Sequence, residues 1–203
     1  MPKLNDKKAM IKKRPMDKRI HFICSLVIAL GFLLTATGGY AQNRGEKFTP
    51  QSGQGGKDVV WVPTLQALVD AMLNMANVTS ADYVIDLGSG DGRLVITAAK
   101  RGAKALGIEY NPDMVELARR SALEEGVGAR ATFKNADLFE SDFSKATVLT
   151  LFLLPSLNLR LRPIILDMKP GTRIVSNTFD MDEWEPDQTK HLTDSNSSWD
   201  TTR

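Results

Sequence analysis

The stretch Asp82–Gly92, "DYVIDLGSGDG", constrains the fold more than any other part of the chain. A short run, Tyr83–Leu87, leads straight into Gly88-Ser89-Gly90-Asp91-Gly92. Glycine at alternate positions lets the chain turn sharply from a strand into a helix. It also lets backbone N–H groups approach a ligand with no side chain between them. A dinucleotide site uses a similar turn, but spaces its glycines G-x-G-x-x-G and sets a pyrophosphate on the helix N-terminus. Here the spacing is G-x-G-x-G, and a carboxylate, Asp86, precedes it by two residues. An anion would meet that carboxylate, so a ligand with a cationic centre and an amino group fits better. A bare structural turn is the alternative.

Strand-like and helix-like stretches alternate from there on. Upstream, Leu65, Leu68, Val69, Met72, Leu73 and Met75 recur at helical spacing. Tyr83–Leu87 reads as a buried strand, Arg93–Arg101 as a helix and Ala105–Glu109 as a second strand. Pro112–Glu125 is a helix with proline at its start and Gly126 just past its end. Ala131–Lys134 and Thr147–Leu154 are further strands, the latter too continuously apolar for a sheet edge. Leu159–Met168 is a helix stopped by Lys169-Pro170-Gly171, and Arg173–Ser176 is a fifth strand. This order predicts an α/β fold, a doubly wound, mostly parallel sheet covered on both faces. Such sheets bind ligands beyond the carboxyl ends of their strands, at the topological switch point.

The acids fall at that rim. Glu109 ends the second strand about 20 residues after the glycine turn, where an acid can bridge the hydroxyls of a ribose. Asp137 follows the third strand and is itself followed by apolar Leu138 and Phe139. With Asp86, three acids close three successive strands. They describe a pocket for a nucleoside with a positive substituent.

Charge separates the chain into parts. The net charge is +2, but residues 1–20 hold eight Lys or Arg against two Asp, so the remaining 183 residues sum to −4. A nucleic-acid binder keeps its basic charge on the folded domain, so nucleic acid is not an expected partner. After the basic arm, Phe22–Ala36 runs 15 residues without a charge and gives way to Gly39-Tyr40-Ala41. This is the layout of a signal peptide cut after Ala41, and it approaches the length of a membrane anchor. Residues 1–41 are therefore expected to export the chain or to associate it with a membrane. Cys24, the only cysteine, lies inside this run and cannot form an internal disulfide. Residues 42–58 read as a flexible linker, 59–186 as the domain and 187–203 as a polar tail. His21 and His191 lie in the terminal regions, and no Cys or His cluster exists, so no metal is expected.

"VIDLGSGDG", "GIEY" and "NADLF" resemble the first motif, the ribose acid and the adenine segment of the class I S-adenosylmethionine-dependent methyltransferases. The resemblance covers Val59 to about Pro186. It extends to the group that includes the ATP synthase c-subunit lysine methyltransferase and its bacterial relatives. That group is similar in "VVWVPTLQALVDAML", in "DLFESDFSKATVLTLFLLPSLNLRLRP" and in "MKPGTRIVSNTFDMDEW".

The resemblance implies S-adenosyl-L-methionine as cofactor and a protein or small molecule as methyl acceptor. Asp86, Gly88, Ser89, Gly90 and Gly92 would line its methionine part. Glu109 would bond the ribose, and Asp137 and Leu138 would hold the adenine. Pro63 and Thr64 look like the segment that closes over the cofactor. Leu153, Leu154 and Pro155 stand where many N-methyltransferases place a loop beside the target nitrogen. No Asn-Pro-Pro-Tyr occurs there, so a nucleobase or free amide is not supported as acceptor. Asp180, Asp182 and Glu183 are the candidate acids for taking a proton from a lysine target. Class I members have seven strands against the five read here. An inert cofactor-binding remnant is thus the alternative to a protein-lysine or small-molecule methyltransferase.

Overall fold

The computed structural model describes residues 48–191, which belong to one of the chain's two units, residues 44–203. The basic arm, the apolar run with Cys24, the first part of the expected linker and the end of the polar tail lie outside the described residues. Four helices and five strands alternate: α1 (Gln66–Met75), β1 (Tyr83–Leu87), α2 (Arg93–Lys100), β2 (Lys104–Glu109), α3 (Pro112–Glu124), β3 (Ala131–Asn135), β4 (Val148–Leu151), α4 (Pro155–Leu166) and β5 (Arg173–Ser176). A short 3-10 turn, Leu138–Glu140, stands between β3 and β4.

The strands form one parallel sheet in the order β3-β2-β1-β4-β5. The chain leaves β1 outward through β2 and β3, then returns to lay β4 on the other side of β1. That reversal opens a crevice at the carboxyl ends of β1 and β4. Both faces are covered, so neighbouring strand residues serve different cores. Val84, Ala105, Phe133, Val148 and Val175 pack with α1, α2 and α3. Ile85, Leu87, Leu149 and Leu151 pack with Leu157, Leu161 and Ile165 of α4.

Local chemistry sets the element ends. Asn111 caps α3, its Oδ1 accepting from the Asp113 and Met114 N–H groups at 2.9 and 3.4 Å, with Pro112 in the first turn. At the amino ends of the strands, the buried Asp82 carboxylate accepts from the Thr79 N–H (2.8 Å), the Thr147 hydroxyl (2.8 Å) and the Arg173 guanidinium. Arg173 also donates to the carbonyl of Ala76, just past α1, at 2.5 Å. One acid thereby joins β1, β4, β5 and α1.

Three expectations change. β4 ends at Leu151 rather than Leu154, because Phe152–Leu154 leave the sheet to line a cavity. An unbroken apolar run does not show where strand stops and cavity wall begins. α4 starts at Pro155, one turn earlier than expected, since proline's fixed φ suits a first helical position. Residues 48–58, read from composition as linker, are folded against the domain. Gly53 N–H donates to the Trp61 carbonyl at 2.8 Å, Trp61 N–H to the Gln54 carbonyl at 2.9 Å, and Gly55 bridges Val60.

Candidate cofactor and acceptor cavity

A cavity of about 520 Å³ lies at the carboxyl ends of the strands. Its rim follows the strand order. Asp137 and Leu138 come after β3, Glu109 ends β2, and Gly88–Asp91 follow β1. Phe152–Leu154 follow β4, and Asn177–Phe179 follow β5. One end is acidic and the other is apolar and aromatic.

The glycine turn forms the floor. Gly88, Gly90 and Gly92 take φ of 77°, 53° and 82°, where side chains are strained. A Cβ on Gly90 would lie 2.5 Å from Trp61 Nε1, so the turn admits the indole only because it is bare there. Gly92 differs from its expected role. It does not line the cavity, and a Cβ there would meet the Phe133 ring and Ala118 Cβ at 2.6–2.7 Å. Its bareness serves the packing of α2 on β3 and α3. Ser89 lines the cavity, but its Oγ turns towards Gly107 of β2 and is buried without a hydrogen-bond partner.

Asp86 is 7% exposed, beneath the turn, and accepts from the fully buried Thr150 hydroxyl at 2.7 Å. Burial pushes its carboxyl up to about 7, against the Thr150 bond and with help from the charges of Glu109 and Asp91. Glu109 is not the freely exposed acid that its position suggests. It braces the site, accepting from the Gly90 N–H and the Asn111 N–H at 2.9 Å each. Each carboxylate oxygen retains further acceptor capacity, and Glu109 lines the cavity.

The segment from Ser52 to Leu65 crosses the cavity as a strap. Lys57 pairs with the Asp137 carboxylate and stands 5.1 Å over the Tyr110 ring. The Lys57 bond and the Phe139 N–H hold Asp137 below the usual carboxylate range. Gln54 Nε2 reaches Met114 Sδ at 3.7 Å. Arg93, clamped on Asp91, donates to the Thr64 carbonyl at 2.7 Å. Pro63 and Thr64 line the cavity within a longer strap whose anchors are Gln54, Lys57 and Trp61. Trp61 stands within "VVWVPT", yet nothing local to it marks the indole as a partner of the glycine turn.

At the apolar end, Phe152 and Phe179 stack with centroids 6.3 Å apart and planes 20° apart. Leu153 and Leu154 line the cavity, whereas Pro155 turns away into α4. Asp180, Asp182 and Glu183, the candidate proton acceptors, do not line it either: the loop after Phe179 carries them past the rim. Among the described residues no group of His, Cys, Asp and Glu is disposed to hold a metal ion.

A bare-backbone turn, a buried acid, a second acid on the neighbouring strand and an aromatic far end suit a nucleoside with a cationic, amino-bearing substituent. That chemistry belongs to the S-adenosyl-L-methionine-dependent methyltransferases, and the chain is one of them. It belongs to the ANTKMT methyltransferase domain family, which it matches over residues 86–188. It is 42% identical over 141 residues to a protein-lysine N-methyltransferase of Saccharolobus islandicus (strain REY15A), a match covering 68% of this chain and 88% of the relative. It is 36% identical over 107 residues to the ATP synthase c-subunit lysine N-methyltransferase of Rattus norvegicus, covering 52% of this chain and 50% of the relative. Among solved structures, an RNA methyltransferase from Salinibacter ruber in complex with S-adenosyl-L-homocysteine superposes with a TM-score of 0.64 at 49% identity, over 70% of this chain and 90% of that one. The chain thus spans about half the rat relative, but most of the Saccharolobus protein and of the solved structure.

Proposed function

We propose that the chain methylates lysine side chains of a protein acceptor. The observation that carries this reading is the 42% identity along nearly the whole of a protein-lysine N-methyltransferase. The apolar end of the cavity supports it, because Phe152, Leu153, Leu154 and Phe179 suit an aliphatic stem. The likeness to the Salinibacter RNA methyltransferase raises RNA as a second reading. The described residues carry 15 Lys and Arg against 19 Asp and Glu, a balance that repels phosphate.

Asp86, Gly88 and Gly90 hold the methionine part of the cofactor, Glu109 its ribose, and Asp137 with Leu138 its adenine. When bound, the cofactor supplies a methyl group already activated on a sulfonium. What remains for the protein is to align acceptor and donor and to exclude water. The strap covers one side and the aromatic pair the other. A lysine amine entering between apolar walls loses its proton more readily than in water, because desolvation disfavours the ammonium. Asp86 carries the charge that meets the ligand's amino group.

Tritiated S-adenosylmethionine mixed with a membrane extract tests the acceptor. Label that protease removes, nuclease leaves and acid hydrolysis recovers as methyl-lysine supports the lysine reading. Label released by nuclease replaces it with RNA. The segment Phe22–Ala36 is proposed to hold the enzyme at a membrane beside its acceptor. A reporter fused after Arg203 should partition with membranes, on the side where the cofactor is available. A wholly soluble full-length protein would end that idea.

A further inference from the structure

The segment after β5 is shaped against its own preferences. Thr178 takes φ 66° and Asp182 φ 60°, and the left-handed region is a rare place for a β-branched residue. Such strain persists only where surrounding structure enforces it, and it gathers at functional sites. The enforcing groups come from α4, from Ser176 of β5 and from the turn itself, where the Phe179 N–H donates to the Asn177 carbonyl at 2.7 Å. Asn158 is fully buried on the apolar face of that helix, between Leu157 and Leu161. Its Nδ2 donates to the Phe179 carbonyl at 3.2 Å and to the Asp180 carbonyl at 3.0 Å, and reaches Ser176 Oγ at 3.5 Å. Ser176 in turn donates to the Phe179 carbonyl at 2.5 Å. With two carbonyls facing it, the amide group fits only this way round, and Oδ1 is left buried with no donor. One turn on, Arg162 donates to the Met181 carbonyl at 2.8 Å. The buried amide commits its donor group to the two loop carbonyls and leaves its own oxygen unpaired, so its contacts serve the loop rather than the helix that carries it.

What the grip achieves is the placement of Asn177, Thr178 and Phe179 on the cavity wall, with the Phe179 ring against Phe152. Asn158 itself does not reach the cavity. We propose that Asn177–Phe179 is the acceptor-recognition wall of this methyltransferase and that Asn158 is its positioning residue. The inference rests on the lysine reading: the aliphatic stem of the acceptor lies along the Phe152–Phe179 pair, while the cofactor occupies the other end of the cavity. The wall therefore governs use of the acceptor and leaves cofactor binding alone.

The test is steady-state methyl transfer by the full-length chain to poly-L-lysine, or to the band labelled in a membrane extract if the polymer is no acceptor. Asn158→Leu keeps the branched outline of the side chain and removes the grip. The acceptor KM should rise at least tenfold, while the KM for S-adenosylmethionine and the calorimetric Kd for S-adenosylhomocysteine stay within twofold. Phe179→Ala should behave alike. Thr178→Gly relieves the strain, so it should leave Tm level or higher and still raise the acceptor KM. These two variants carry the test if Asn158→Leu does not fold. An equal rise in both KM values, or an unchanged acceptor KM in Phe179→Ala and Thr178→Gly, overturns the proposal. A wild-type enzyme that binds S-adenosylhomocysteine but labels neither acceptor overturns the lysine reading itself, and this wall with it.

Discussion

Asp86 shows how much a single carboxyl can report about this site. Its pKa of about 7 lies above the ordinary 3.8, so the folded protein holds that proton more tightly than the unfolded chain does. Its contribution to cofactor-free stability is therefore greatest below about pH 4 and declines as pH rises towards 7. Cofactor affinity should run the other way, because a ligand with a cationic centre prefers the ionised acid. Calorimetry with S-adenosylmethionine should give a Kd that tightens from pH 6 to pH 8. Asp86→Asn should flatten that slope, and a slope that survives the substitution would remove Asp86 from the site. Glu109 combines two roles that its sequence position does not separate. Glu109→Ala removes the acceptor of the Gly90 and Asn111 N–H groups along with any bond to the ribose. The expected loss is on the order of 1–3 kcal/mol in affinity, with a lowered Tm besides. Unchanged Tm with weakened binding would mean the bracing bonds are incidental.

At the scale of elements, the amino ends of β1, β4 and β5 depend on the Asp82 cluster. Burial pushes the Asp82 carboxyl up, but the Thr79 N–H, the Thr147 hydroxyl and the Arg173 guanidinium together hold it below its ordinary value. A depressed folded pKa gives stability that is complete above about pH 4 and lost as pH falls through the folded value. The acid limb of a Tm-against-pH curve should therefore be shallower in Asp82→Asn than in the wild type, from a lower starting Tm at pH 7. Arg173→Met should be strongly destabilising, because it leaves Asp82 charged and 7% exposed without its cation. Parallel acid limbs in wild type and Asp82→Asn would show that another group controls the acid transition.

Over the whole molecule, the decisive arrangement is a strap from before α1 laid across the segments that follow β1, β2 and β3. Its anchors on Gly90, Met114, Asp137 and Arg93 lie 29 to 80 residues away in sequence. Trp61 belongs to neither hydrophobic core cluster, so Trp61→Ala should lower Tm only slightly. It should weaken S-adenosylhomocysteine binding at least tenfold by opening the cavity to water. A large fall in Tm would instead make the strap part of the folding core.

The sequence by itself determined the elements, because periodicity and turn chemistry are local. Tyr83–Leu87 and Arg173–Ser176 stand where the pattern puts them, and proline and glycine frame α3 as their backbone preferences require. It also determined the glycine turn and the acids of the rim, since a motif of adjacent residues needs no partner to be recognised. Only the tertiary structure decided what each residue faces. It turned Ser89 Oγ into the sheet, gave Gly92 to helix packing, set Glu109 to bracing the turn and engaged Asp137 with Lys57. It also made a strap out of a stretch whose composition reads as linker, and a cavity wall out of the last residues of an apolar run. These choices rest on contacts between residues far apart in the chain. Composition and period carry no record of such pairs, so they become definite only when the sheet order brings the partners together.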